Sequence, residues 1–225
     1  MTFSPRLLAG RSLQPIGLGC MSLSQAYYPL PSEAEGEKLL NRAIDIGYDH
    51  LDSARLYGLG HNEALLARLL KTRRKEVFIA SKCGIEFDDG NRRIDCQPKT
   101  IRRAVEKSLA TLETDYIDLY YLHRRDRNTP IEDSVGTLGR LIEEGKIGAI
   151  GLSEMSAETL KAATKEHTIA AMQSEYSPWT RNPEIAVLEA CKDLGTAFIA
   201  FSPVARGALA GAVTDPAKLN AKDSR

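Results

Sequence analysis

The chain has 225 residues, with 30 Lys and Arg balanced by 30 Asp and Glu, and 43% of it is hydrophobic. Zero formal charge leaves no electrostatic footprint for nucleic acid or an anionic membrane, and the short clusters Arg73-Arg74-Lys75 and Arg124-Arg125 read as solvated surface. No apolar stretch is as long as a membrane span, Met1–Arg6 lacks the apolar segment of a signal peptide, and Cys20, Cys83, Cys96 and Cys191 form no disulfide or zinc pattern. A protein of the cytoplasm with reduced thiols and no bound metal is therefore expected.

In chain order, Arg6–Leu13 reads as a short hairpin turning at Ala9-Gly10, placed to plug the bottom of a barrel. Apolar runs rich in β-branched and aromatic residues then alternate with segments of helical period. The predicted strands are Pro15–Gly19, Tyr48–Asp52, Val77–Lys82, Tyr116–His123, Ile147–Ser153, Thr168–Gln173 and Thr196–Ser202. Between them the predicted helices are Ser32–Ile46, Asn62–Leu70, Pro98–Leu112, Ile131–Glu144, Ala157–Lys165 and Asn182–Leu194. Ser32-Glu33-Ala34-Glu35 has the form of a capping box, and Pro98 suits a first helical turn. Gly47, Gly145 and Gly195 stand where helices stop before strands, a common place for a left-handed residue. Ala104, Val105, Ser108, Leu109 and Leu112 recur at helical spacing and give one buried face.

Alternation with no run of hairpins after the first few residues argues for parallel strands joined by right-handed crossovers. Residues 1–225 read as one domain, with no linker or low-complexity tract. An open nucleotide-binding sheet usually shows GxGxxG after its first strand; Gly17-Leu18-Gly19-Cys20-Met21 does not complete that pattern. A parallel (β/α)8 barrel is favoured.

The predicted strands end in turn on Asp52, Lys82, His123, Ser153, Gln173 and Ser202. Each alone has an ordinary explanation: a turn cap, a snorkelling lysine, a satisfied histidine. Six in succession do not, because a βα barrel brings these ends to one face, where active sites lie, and charge gathered there needs partners. Tyr57, five residues after Asp52, can swing over the same mouth. A phenol beside an ammonium held by a carboxylate is a plausible proton donor.

With these residues the chain resembles the aldo-keto reductases. The similarity lies in Asp52-Ser53-Ala54-x-x-Tyr57-Gly58 followed by Asn62-Glu63, in Ser81-Lys82, and in Asp118–Arg124. It continues through Glu144–Ser153, Gln173–Ser177 and Phe201–Gly207, so it runs over nearly the whole chain. The resemblance implies carbonyl reduction with a catalytic tetrad of Asp52, Tyr57, Lys82 and His123, and an NADP(H) cofactor across the barrel mouth. It implies that Ser153 and Gln173 hold the nicotinamide carboxamide, with Glu154 at the next position, and that Phe201 stacks on the ring. Ser202, Pro203, Val204, Arg206, Gly207 and Leu209 are implied beside the pyrophosphate, and Gly19, Cys20 and Met21 at the floor. The substrate is expected to be a small carbonyl compound, with Tyr27 and Tyr28 in the pocket wall.

Three departures stand out. Ser153-Glu154 replaces the family's usual Ser-Asn, and Glu lacks the amide donor of Asn. Ser53 stands where Thr is common. The family's eighth strand and its basic 2′-phosphate segment do not follow here, so a barrel short of its last βα unit is expected, as a fragment or a truncated inactive paralogue. A nicotinamide-binding regulatory subunit is the alternative from another class.

Overall fold

The computed structural model describes residues 3–88 and 90–225; Met1, Thr2 and Asp89 lie outside the described residues. An antiparallel hairpin opens the fold, β1 (Arg6–Leu8) with β2 (Arg11–Leu13), and turns on the left-handed pair Ala9 and Gly10. The alternating part follows as β3 (Leu18–Gly19), α1 (Glu33–Asp45), β4 (His50–Asp52), α2 (His61–Arg73) and β5 (Phe78–Cys83). A second hairpin, β6 (Ile85–Asp88) with β7 (Asn91–Ile94), precedes α3 (Pro98–Leu112) and β8 (Leu119–Leu122). The rest is α4 (Ile131–Glu143), β9 (Ile150–Ser153), α5 (Ala157–Glu166), β10 (Ile169–Glu175), α6 (Val187–Leu194) and β11 (Ala197–Phe201).

Among the described residues the main sheet has seven strands in the order β11-β10-β9-β8-β5-β4-β3, every pair parallel. Successive helices α1 to α6 pack side by side around it. This is the curled sheet of a βα barrel without its last βα unit, and β3 and β11 are its two edges. Two apolar clusters result. The larger lies between strands and helices and includes Leu40, Leu66, Ile101, Leu138 and Leu160. The smaller fills the inside, where Leu8 and Leu13 of the hairpin pack against Phe78, Leu119, Tyr121 and Ala171. The hairpin is thus the plug expected from sequence.

Asp118 ties that end together. Its carboxylate accepts from Arg11 at 3.0 Å, from Arg74 at 2.8 Å and from the Ile79 amide at 2.9 Å.

Local chemistry explains the element ends. Ser32 and Glu35 form the reciprocal capping box, with Ser32 N donating to Glu35 at 2.8 Å and Glu35 N to Ser32 Oγ at 3.3 Å. Such a cap contributes about 1 kcal/mol. Pro98 opens α3, and Gly47, Gly145 and Gly195 all have left-handed φ. Three expectations need correction. The β6–β7 hairpin, a single one, is absent from the expected elements; its signal is the Asp89-Gly90 pair flanked by Ile85, Phe87 and Ile94. The expected helix 182–194 is a 3-10 turn at Asn182–Ile185 followed by α6, broken at Ala186 with φ −157°. Within that turn Glu184 accepts from Arg181 at 2.7 Å and from the Tyr176 hydroxyl at 2.7 Å. The first strand is an edge that pairs only at Leu18 and Gly19, with Leu51 and Asp52 of β4.

Candidate active site

The C-terminal ends of β4, β5, β8, β9, β10 and β11 open on one mouth, because every strand pair is parallel. There the Lys82 ammonium donates to Asp52 Oδ1 and, at 2.7 Å, to the Ser53 carbonyl. The second Asp52 oxygen accepts from Gln173 Nε2 at 2.8 Å. Lys82 Nζ also lies 5.2 Å from the Tyr57 ring centre and 5.5 Å from that of Tyr121. Tyr57 meets His123 edge to face, with ring centres 5.9 Å apart. The structure therefore brings Asp52, Tyr57, Lys82, His123 and Gln173 together.

Backbone geometry makes this possible. Tyr57 begins a tight turn, Tyr57–Gly60, in which Gly58, Leu59 and Gly60 have positive φ. Tyr121, paired in register with Gly151, lies across that glycine; a Cβ there would come within 2.3 Å of the ring. Gly151 thus makes room for the aromatic face on which Lys82 rests.

Electrostatics follow from burial. Burial pushes the Tyr57 phenol above its ordinary value, and the Lys82 charge opposes that only in part. Tyr57 is consequently a proton-bearing phenol at neutral pH. Burial, the largest single influence, would push Lys82 down, but the Asp52 carboxylate and Tyr57 beside it together outweigh this and hold the ammonium above its ordinary value. His123 is held well below the ordinary imidazole value by burial first, then by Lys82 and Arg124. It is neutral, and able to donate or accept a hydrogen bond.

His50, buried against Phe78, is also lowered, by burial first. Imidazoles kept neutral in the fold but charging near 6.5 when unfolded bind fewer protons folded than unfolded below that pH. Stability is therefore expected to fall as pH drops from about 6.5 toward the folded values, by up to about 1.4 kcal/mol per pH unit for each histidine. Urea midpoints at about pH 7 and about pH 5.5 check this, and equal midpoints would contradict it.

The other expected residues are placed as follows. Gly19 is exposed and Met21 half-buried, while the Cys20 side chain turns into the outer core with its thiol toward the Leu18 carbonyl at 3.5 Å. Burial, with Asp52 adding to it, pushes that thiol up to about 12, so it is unreactive. Ser153 Oγ accepts from Arg124 Nη1 at 3.2 Å. The Glu154 carboxylate accepts from the Glu175 amide at 2.6 Å, which caps the end of β10. Phe201 ends β11 half-buried; beyond it Ser202, Ala205, Arg206 and Gly207 have positive φ and form a tight double turn. Pro203, Val204, Arg206 and Leu209 are exposed along this turn, and Arg206 pairs with Glu175 at 2.9 Å. Sequence reasoning assigns no part to Tyr121 under Lys82 or Arg124 across Ser153: two-residue alternation back from His123 marks Tyr121 as inward, whereas Arg124, read from sequence as solvated surface, is half-buried beside Ser153. Among the described residues no group of three or more His, Cys, Asp or Glu could hold a metal, and no helix is long and apolar enough to cross a membrane.

Fold and mouth together define a parallel βα-barrel protein with a carboxylate–ammonium pair set beside a phenol and an imidazole. Residues 15–225 match the aldo/keto reductase family, and the chain belongs to it. It is 39% identical over 223 residues to an NADP(+) aldo-keto reductase of Schizosaccharomyces pombe, covering 96% of this chain and 65% of that one. An aldo-keto reductase of Bacillus halodurans in its holo form superposes with TM-score 0.82 at 31% identity, over 91% of this chain and 67% of that one. The glycerol dehydrogenase of Gluconobacter oxydans superposes with TM-score 0.88 at 27% identity, over 98% and 69%. The chain thus spans about two thirds of the length of its relatives.

Proposed function

We propose that this chain carries the catalytic machinery of a cytoplasmic NADPH-dependent reductase that converts a small aldehyde or ketone to its alcohol, and that residues 1–225 act as a single domain. The observation that carries the reading is a protonated, buried Tyr57 beside a Lys82 ammonium that Asp52 keeps charged. When bound, NADPH supplies the hydride that goes to the carbonyl carbon. Tyr57 gives its proton to the oxygen as negative charge develops there. Lys82 stabilises the phenolate left behind, Asp52 orients Lys82, and the neutral His123 aims the carbonyl oxygen by a hydrogen bond.

The residues present fit such a cofactor. The positive-φ residues Ser202, Ala205, Arg206 and Gly207 fold the backbone after Phe201 into a tight double turn, its Ala205 and Gly207 amides closed on the Ser202 and Val204 carbonyls, a compact support suited to a pyrophosphate. Pro203, Val204 and Leu209 flank that turn. Ser153 and Gln173 would hold the nicotinamide carboxamide, with Phe201 beside the ring and Gly19, Cys20 and Met21 at the floor. Glu154 is assigned a supporting part, since its carboxylate is spent on the backbone of Glu175. Tyr27 and Tyr28, both half-buried, give the pocket an aromatic wall suited to apolar carbonyl compounds.

Purified protein incubated with NADPH and a panel of aromatic and aliphatic aldehydes is expected to consume NADPH only when aldehyde is present. Protein that binds NADPH, followed by fluorescence of the exposed Trp179, yet turns over no aldehyde would overturn the proposal.

A further inference from the structure

We propose that Glu63, acting with Asn62, is a positioning residue that keeps the proton donor, its lysine and its aspartate at fixed separation; this rests on the reductase reading. Both residues stand in the first turn of α2, and both are 0% exposed. Carboxylates in a first helical turn commonly face the helix's own N–H groups in water. Here both oxygens are spent elsewhere. Oε1 accepts from Ser81 Oγ at 2.6 Å, the residue before Lys82. Oε2 accepts from Arg55 Nη1 at 3.1 Å, two residues before Tyr57.

Asn62 completes the arrangement. Its Oδ1 accepts from Ser53 Oγ at 2.6 Å, the residue after Asp52. Its amide donates to the Cys20 carbonyl at 2.8 Å and to Ser24 Oγ at 2.9 Å. Two adjacent side chains therefore hold a near neighbour of Asp52, of Tyr57 and of Lys82, and the loop that follows β3. Arg55 is further fixed by Thr111 at 3.3 Å and lies so close to Gly60 that a Cβ there would come within 2.6 Å of its Nη1. Gly60, with φ +103°, both turns the chain into α2 and leaves this space.

A buried ion pair is not needed for stability alone, since apolar residues of similar volume often serve as well. What an Arg55–Glu63–Ser81 link adds is a fixed relation between the Tyr57 turn and the end of β5. Loosening it moves the phenol away from the Lys82 ammonium, which weakens the charge stabilisation of the phenolate. The phenol then holds its proton to higher pH and passes it on less readily.

The test uses the full chain carrying Glu63→Gln, assayed with NADPH and an aldehyde that the wild type reduces. The expected result is a fall in kcat of between about tenfold and a hundredfold. KM and NADPH affinity should stay within about twofold, since neither ligand touches Glu63 in this scheme. The alkaline limb of the kcat–pH profile should move to higher pH, and Glu63→Asp, which keeps the charge, should recover part of the loss. Amide exchange of residues 53–60 should quicken in Glu63→Gln whether or not turnover is measured. If Glu63→Gln fails to fold, Arg55→Lys, which keeps the charge but loses the planar fork, should give the same shift to a smaller degree. A variant with unmoved pH limb whose kcat is normal, or falls only with the folded fraction, would overturn the inference, as would unchanged exchange at 53–60. A wild type without turnover would instead sink the reductase reading, and the exchange measurement would still judge the link.

Discussion

Tyr57→Phe is expected to lower kcat by about three orders of magnitude, within the range that a positioned proton donor supplies, while the protein folds and binds NADPH much as before. The change removes one hydroxyl and keeps the ring, so the edge-to-face contact with His123 survives. The hydroxyl also belongs to a buried group that burial keeps protonated, so nothing charged is left unpaired. Transition-state stabilisation is lost without loss of ground-state binding, so kcat and kcat/KM should fall together. Steady-state kinetics beside a cofactor titration measures both. Normal turnover by the variant would remove Tyr57 from the mechanism.

The second large effect is on stability. Asp118→Ala is expected to cost about 3 kcal/mol, the low end for breaking a buried ion pair. The low end applies because Arg11 is 44% exposed at its side chain and water screens its share. Most of the loss comes from Arg74 and from the buried Ile79 amide, which would have no acceptor. Asp118→Asn, which can still accept from Ile79, should cost less. Urea unfolding with a shared slope resolves the series; a shift below about 1 kcal/mol for the alanine variant would show that the carboxylate is not what joins hairpin, β5 and β8.

Much of this architecture is legible without coordinates, because the signals are local. Ser32 and Glu35 announce a helix start, Gly195 a helix end, and Ala9-Gly10 a hairpin, each through its own backbone preference. The gathering of Asp52, Lys82 and His123 is legible for another reason: parallel topology converts the last residue of each strand into a neighbour of the others. The missed features are those that depend on partners distant in sequence. Nothing local tells that Gln173 turns its amide to Asp52, 121 residues away, or that Glu154 serves the Glu175 amide. The break at Ala186 is similar, since periodicity reads straight through it while the preceding turn bonds through Glu184 to Arg181 and Tyr176. The β6–β7 hairpin was within reach, since an Asp-Gly pair between alternating apolar positions is a strong local signal.

The Asp118 knot and the Tyr57 cluster occupy opposite poles of the sheet. The residues that tie the hairpin to the sheet are therefore not those of the Asp52–Lys82–Tyr57 cluster, nor the tyrosines proposed above for the pocket wall. Selection, natural or in the laboratory, can rewrite the stretch around Tyr27 and Tyr28 without first finding a compensating change in the foundations. A library randomised at those two tyrosines should yield folded members far more often than one randomised at Arg11 and Arg74.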